Sequence, residues 1–259
     1  MALLLAGALA GTAAGLLGIG GGVIIVPVLS LVFDSAGIPA DTIIKVAVGT
    51  SLATIVFTAI SSIWAHHQRG AVRWPLVKTM TPGVVVGSLV GAWLADIIPG
   101  YWLTVGFISF LILVSIQMTI GPISANRTLP GPQTLRGVSA LVGCLSSLMG
   151  IGGGALHVPF LSWFGVPVKQ AIATAAAIGF PLAVTASLGF IFTGLNEKHL
   201  PDHSLGYVNL PAFAGVVAAS ILFAPLGAAL AHKLPDRLIK RVFALFLFLL
   251  AMRMAYKML

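Results

Sequence analysis

Charge is nearly missing from this chain. Asp, Glu, Lys and Arg together make up 8 % of its 259 residues, where soluble domains carry about 25 %. So little polar surface cannot cover a fold in water, and the fitting solvent is a lipid bilayer. Acid is scarcest: 6 Asp and Glu stand against 14 Lys and Arg, a formal charge of +8. The basic residues lie mostly between apolar runs, where cytoplasmic loops of membrane proteins gather them. No basic stripe interleaved with aromatics exists, which argues against nucleic acid as a partner. Cysteine occurs once, at Cys144, which excludes an internal disulfide and a multi-cysteine metal site. Paired intramembrane carboxylates, an HExxH helix, a Ser-His-Asp set and a P-loop are all missing. Hydrolysis and nucleotide-driven pumping therefore lack their residues, and the expectation is no enzyme, no metal and no cofactor. The opening MALLLAGALAGTAAG has no basic n-region and does not read as a cleaved signal peptide.

What the chain has in excess is apolar runs, near residues 2–17, 22–33, 42–64, 75–98, 101–120, 134–149, 154–164, 171–194, 208–231 and 238–258. The polar stretch GPISANRTLPGPQ, residues 121–133, reads as a connecting loop. It separates a first repeat, 1–120, from a second, 134–259. The halves share the segments GLLGIGGGVIIVPVLS at 15–30 and SLMGIGGGALHVPFLS at 147–162, 132 residues apart. GIP at 37–39 pairs with GVP at 165–167. GAVRWP at 70–75 pairs with GYVNLP at 206–211, and GAWLADIIP at 91–99 with GAALAHKLP at 227–235, both at an offset of 136. This is an internal duplication.

Loop charge sets the halves in opposite directions. Residues 65–78 hold Arg69, Arg73 and Lys78, while their counterparts 201–214 hold only Asp202. Residues 95–105 hold only Asp96, while 231–241 hold Lys233, Arg237, Lys240 and Arg241. The bias flips at both loops, so the positive-inside rule makes the repeats inverted. Arg253 and Lys257 near the far end fit this less well. Inversion needs an odd number of crossings per half. The expected fold class is therefore an all-α polytopic membrane protein of two inverted repeats. Each repeat holds one glycine-hinged re-entrant half-helix hairpin and three spanning helices.

The glycine breaks sit between runs too short to span: 2–17 and 22–33 give about 24 and 18 Å of helix, against the ~30 Å of a hydrocarbon core. Non-helical backbone at membrane depth is tolerated only where protein buries it or a wet cavity lies beside it. Matched breaks in two inverted halves point to a transporter's central site. The half-helices that follow begin with unpaired N–H groups and the positive end of a dipole, which suits an anion without a buried lysine. Glycines that merely allow tight helix packing are the plainer alternative. The repetition, each copy followed by Val-Pro, favours a site formed by Gly20, Gly21, Gly22 and Val23 with Gly152, Gly153, Gly154 and Ala155.

The duplicated GIGGGxxxVPxL, the GIP and GVP turns, and the G-x-V-x-x-P after a long helix resemble the TauE/SafE family of membrane proteins, also described as sulfite exporters. The resemblance covers almost the whole chain. It implies transport of small sulfur-containing anions such as sulfite, sulfonates or thiosulfate.

Other residues are candidates of their own. His157 stands where the first repeat has Ile25, and a membrane-embedded histidine either hydrogen-bonds substrate or carries a proton. Thr50 and Ser51 are hydroxyls on a long apolar run, with Thr174 and Thr185 as substitutes in the second half. Lys45 either counters substrate charge or snorkels. The reading is a secondary transporter of a small anion, working by alternating access in a plasma (inner) membrane crossed many times. An anion channel of the same fold remains open, as does a sulfur relay through Cys144 to a cytoplasmic partner. The bilayer and a small anion are the expected partners, and a homo-oligomer is compatible with them.

Overall fold

The computed structural model describes residues 7–12, 21–120, 128–233 and 236–258. A helical segment over 7–12 (α1) is followed by α2 (Gly22–Ser35), α3 (Ala40–Gln68), α4 (Trp74–Ile97) and α5 (Gly100–Ile120). The second half has α6 (Pro132–Met149), α7 (Gly154–Trp163), α8 (Val168–Gly194), α9 (Leu210–Lys233) and α10 (Asp236–Met258). Between α8 and α9 lies an antiparallel ribbon, β1 (Ser204–Leu205) with β2 (Val208–Asn209). Among the described residues, α3, α4, α8 and the Gly100–Gln117 part of α5 are long and apolar enough to cross a membrane. The helical content and these spans bear out a helical membrane protein. α6 begins at Pro132, within the stretch read as connector, with proline at a position where its missing N–H costs nothing.

α2 and α7, of 14 and 10 residues, extend about 21 and 15 Å at ~1.5 Å per residue. Neither reaches across ~30 Å of hydrocarbon. Both are capped by a glycine in the left-handed region with nearly the same dihedrals, Gly21 (φ 74, ψ −17) and Gly153 (φ 74, ψ −15). Both carry proline as their sixth residue, Pro27 and Pro159, which removes one intrahelical bond from each. The long helices α3 and α8 start alike on Pro39 (φ −56, ψ 135) and Pro167 (φ −52, ψ 136).

Packing follows the same pairing. α3 and α8 lie against each other with Gly49 beside Phe190, while Ile60 and Ile63 share a crevice with Ala177 and Phe180. The two helices therefore run antiparallel. α4 meets α6 through Gly83, Gly87 and Gly91, whose Cα atoms lie on the carbonyls of Arg136, Ala140 and Cys144. The four-residue spacing puts all three on one helix face, where the lack of side chains lets the backbones touch. Gly143 lies against Val84, and Gly11 of α1 against Ser220 of α9. Gly143 follows Gly11 by 132 positions and Ser220 follows Val84 by 136, the two sequence offsets. Each half's leading helix thus packs on the other half's second long helix.

Candidate functional site: paired glycine breaks

α6 ends on Gly150 (φ 67), with the Gly150 N–H donated to Ser147 O and the Ile151 N–H to Ser146 O. These are the two bonds of a Schellman stop, so the helix is closed off cleanly. Gly152 and Gly153 then bridge to α7. The Gly153 carbonyl accepts the N–H groups of Leu156 (3.2 Å) and His157 (2.9 Å), and the Gly21 carbonyl accepts those of Ile24 and Ile25 (3.0 and 3.1 Å). The amides of Gly22, Val23, Gly154 and Ala155 precede any helical acceptor and are left to other partners.

The two breaks touch. A Cβ on Gly22 would lie 2.4 Å from the Gly150 carbonyl oxygen and 3.1 Å from Ile151 Cα. A Cβ on Gly179 of α8 would lie 2.4 Å from the Gly152 oxygen. Ile55 of α3 rests against both Gly22 and Gly152. Ser51 donates to the Gly150 carbonyl at 2.8 Å, and Thr54 in turn donates to Ser51 O. Gly21, Gly22, Val23, Gly152, Gly153, Gly154, Ala155, Ser51 and His157 are all buried. Gly20 lies outside the described residues. Thr50 is not brought to the breaks: its Oγ1 accepts the Asn209 N–H of the ribbon at 2.9 Å.

His157 is wholly buried with its ring against Gly153. Nδ1 lies 3.1 Å from the Gly153 carbonyl, and Nε2 has no partner among the described residues. The hydroxyls of Ser146 and Ser147, just before the break, are also buried without a partner among them. A buried polar atom left unpaired costs about 1–3 kcal/mol, so this region is suited to a polar guest. Two apolar crevices beside α3 and α8 do not compete for it. They have volumes of about 520 and 290 Å³ and almost wholly apolar walls, and an anion gains nothing there. They are nonetheless informative. Ile60, Ile63, Trp74 and Val77 line the first, and Leu188, Ile191, Leu210 and Phe213 the second. These pairs are offset by 128 on the long helices and 136 beyond them.

Sequence reasoning did not foresee the seams at the two ends of the α3/α8 pair. At one end Tyr207, in the turn of the ribbon, is buried between α3 and α8. Its hydroxyl donates to the Asp96 carboxylate at 2.8 Å, and its N–H to Phe190 O. Burial and the Asp96 carboxylate both push the Tyr207 phenol above its ordinary range. Lys45, 7 % exposed, donates to the Asp96 backbone carbonyl at 2.7 Å and lies 3.9 Å from the Asp41 carboxylate. At the other end the Arg73 N–H donates to Thr174 Oγ1 (3.1 Å) and its Nε–H to Gln170 (2.6 Å). Arg73 and Asn209 are 136 apart, and each gives its amide to a threonine on the other half's long helix. Losing a buried aromatic costs about 3–5 kcal/mol. Tyr207→Ala should therefore speed hydrogen exchange at the Val208 and Asn209 amides by about a hundredfold, read by mass spectrometry. Unchanged exchange would mean that the ring does not hold the ribbon.

Helices of spanning length, half-length helices opening on matched glycines, and a buried polar junction where those breaks meet define a membrane transport protein. The family model for sulfite exporter TauE/SafE matches residues 3–254, and the chain belongs to that family. It is 35 % identical to a probable membrane transporter protein of Haemophilus influenzae, over 98 % of this chain and 97 % of the relative. A probable membrane transporter protein of Methanocaldococcus jannaschii is 33 % identical over 85 % of this chain and 82 % of its own. One from Bacillus subtilis is 29 % identical over 98 % and 97 %. No solved structure matches the chain.

Proposed function

We propose that the protein is a secondary transporter of a small anion, sulfur-containing as the family description suggests (sulfite, a sulfonate or thiosulfate), that works by alternating access. The observation that carries this is the contact between the two glycine breaks. Each half-helix presents about half a positive charge at its start. Hydrogen bonds to a charged acceptor contribute about 1.5–3 kcal/mol each. The several kcal/mol of desolvation for a buried ion is then offset by three or four amides drawn from Gly22, Val23, Gly154 and Ala155. Ser51 braces the second break, and His157 sits at the start of its half-helix.

The two halves are inverted repeats, each with a re-entrant hairpin built on its short helix. Matched glycine caps, the antiparallel α3/α8 pair and the crossed glycine contacts at offsets 132 and 136 support this. Orientation follows from charge. Arg69, Arg73, Lys78, Arg136 and Lys169 cluster toward the end of the Arg73 seam, while the Tyr207 end holds Asp41, Asp96, Glu197 and Asp202 with two lysines, Lys45 and Lys198, among them. The Arg73 end therefore faces the cytoplasm of a prokaryotic-type plasma membrane. The two seams are the contacts that open in turn as the halves rock about the junction. The Arg73 and Asn209 amides bond uncharged threonine oxygens, about 0.5–1.5 kcal/mol each, and the Tyr207 hydroxyl bonds the Asp96 carboxylate, about 1.5–3 kcal/mol, so each seam is held by a few bonds that a transport cycle can break in turn.

The test is counterflow in proteoliposomes with labelled sulfite, sulfoacetate, thiosulfate and sulfate. Saturable, gradient-coupled uptake of at least one is the expected result. Currents of single-channel size would instead make it a channel. Cys144 lies on α6 with its carbonyl against Gly91, in the helix-packing seam. Cys144→Ala is expected to leave counterflow unchanged, and its loss would favour a sulfur relay.

A further inference from the structure

We infer that the site accepts its anion together with one proton, held on Nε2 of His157. This rests on the reading of the glycine breaks as the anion site, and adds to it what the histidine must do. The Gly153 oxygen is a carbonyl and can only accept, so Nδ1 of His157, 3.1 Å away, is the donor and carries the ring hydrogen. A neutral imidazole has a single N–H. Nε2 is then a bare lone pair, buried and without a partner among the described residues. A lone pair repels an oxyanion oxygen. Protonation converts it to a donor without disturbing the Gly153 bond, since both ring nitrogens of imidazolium donate.

Charge leads to the same place. Two half-helix starts supply about one positive charge between them. A dianion held there leaves about one negative charge uncompensated in a low-dielectric interior, and an imidazolium supplies the missing one. Among the described residues of α2, α3, α6, α7 and α8, no other cation is at hand. α7 packs on α8 and α6, whose titratable groups are Lys169, Arg136 and Cys144. Lys169 is 13 residues along α8 from Leu182, the side chain that shares Gly153's surroundings with the imidazole, or about 20 Å. Arg136 is 10 residues from Ser146 on α6, about 15 Å. α3, which reaches the breaks at Ile55, carries Asp41, Lys45, His66 and His67, each at least 10 residues from it, and α2 carries only Asp34, near its far end. Residues 13–20 contain no ionisable side chain. The first repeat has Ile25 at the equivalent position, so the proton belongs to one half alone. The proton is taken from water on the side that is open and released to water on the other, with the anion.

The experiment uses the full-length protein in liposomes with entrapped pH dye, and protein-free liposomes as the blank. The probe is thiosulfate, a dianion that brings no proton at neutral pH. Wild type is expected to acidify the lumen as labelled thiosulfate enters. Its uptake should rise about tenfold per unit fall in external pH while the site is mostly unprotonated. His157→Asn, or His157→Gln should the first fail to stay monodisperse, is expected to lose the acidification and the pH slope. Net thiosulfate uptake into empty liposomes without acidification would overturn the proton step and leave the anion site standing. No thiosulfate uptake and no counterflow by wild type would remove both. A monodisperse His157 variant that keeps the wild-type slope would move the proton to another group.

Discussion

Gly22→Ala is expected to abolish anion counterflow while the protein still folds. The added Cβ would lie 2.4 Å from the Gly150 oxygen and 3.0 Å from Ile55 Cδ1. The isoleucine can rotate, but the carbonyl belongs to a Schellman stop that is braced by Ser51. The start of α2 must therefore withdraw by about 1 Å. Overpacking of this kind costs about 1–3 kcal/mol, which a packed helical protein survives. A hydrogen bond to the anion does not survive it, because amide donors work over a range of only ~0.5 Å. The loss should be at least about a hundredfold, as for a misplaced catalytic group. Gly137→Ala is the control: nothing lies within 4 Å of its Cβ position, and alanine suits a helix better. Wild-type counterflow in Gly22→Ala would reduce the breaks to packing elements.

Gly87→Val should damage the fold itself. Its Cβ would sit 1.9 Å from the Ala140 oxygen, and one turn away on either side a Cβ on Gly83 or Gly91 would lie 2.1 Å from the Arg136 oxygen or 2.5 Å from that of Cys144. Both atoms at that contact are fixed by helical backbone, so α4 and α6 must separate by about 1.5 Å to regain ordinary contact. The separation opens the whole glycine face at once. A cost of about 3 kcal/mol corresponds to a midpoint about 10 °C lower in a chain of this size. Thermal unfolding in detergent, followed with size exclusion, measures it. An unchanged midpoint would show that α4 and α6 are not seated on that glycine face.

The glycine breaks were legible because the sequence states them twice, and a run too short to span cannot hide in a chain this apolar. The half-lengths of α2 and α7 follow directly. Partner choice was not legible. Gly83, Gly87 and Gly91 announce a bare helix face, but a bare face accepts any helix, and nothing local says that α6 of the other half fills it. Thr50 and Ser51 illustrate a second limit. They are neighbours in sequence, about 100° apart around α3, so one reaches Asn209 and the other Gly150. Hydroxyl content alone assigns both to one site. The ribbon at 204–209 escaped because strands of two residues have no periodicity. Its hold comes from Tyr207 and Asp96, far apart in sequence, which no spacing rule joins.

The structure brings the two glycine breaks together at one junction of amides, buried where α2 and α7 begin. The direct test is a cryo-EM map of the protein in lipid nanodiscs saturated with thiosulfate. Density for the anion is expected within hydrogen-bond reach of the amides of Gly22, Val23, Gly154 and Ala155, beside His157. An anion resolved instead at Lys45 or Arg73, with the glycine junction closed and unoccupied, would contradict it.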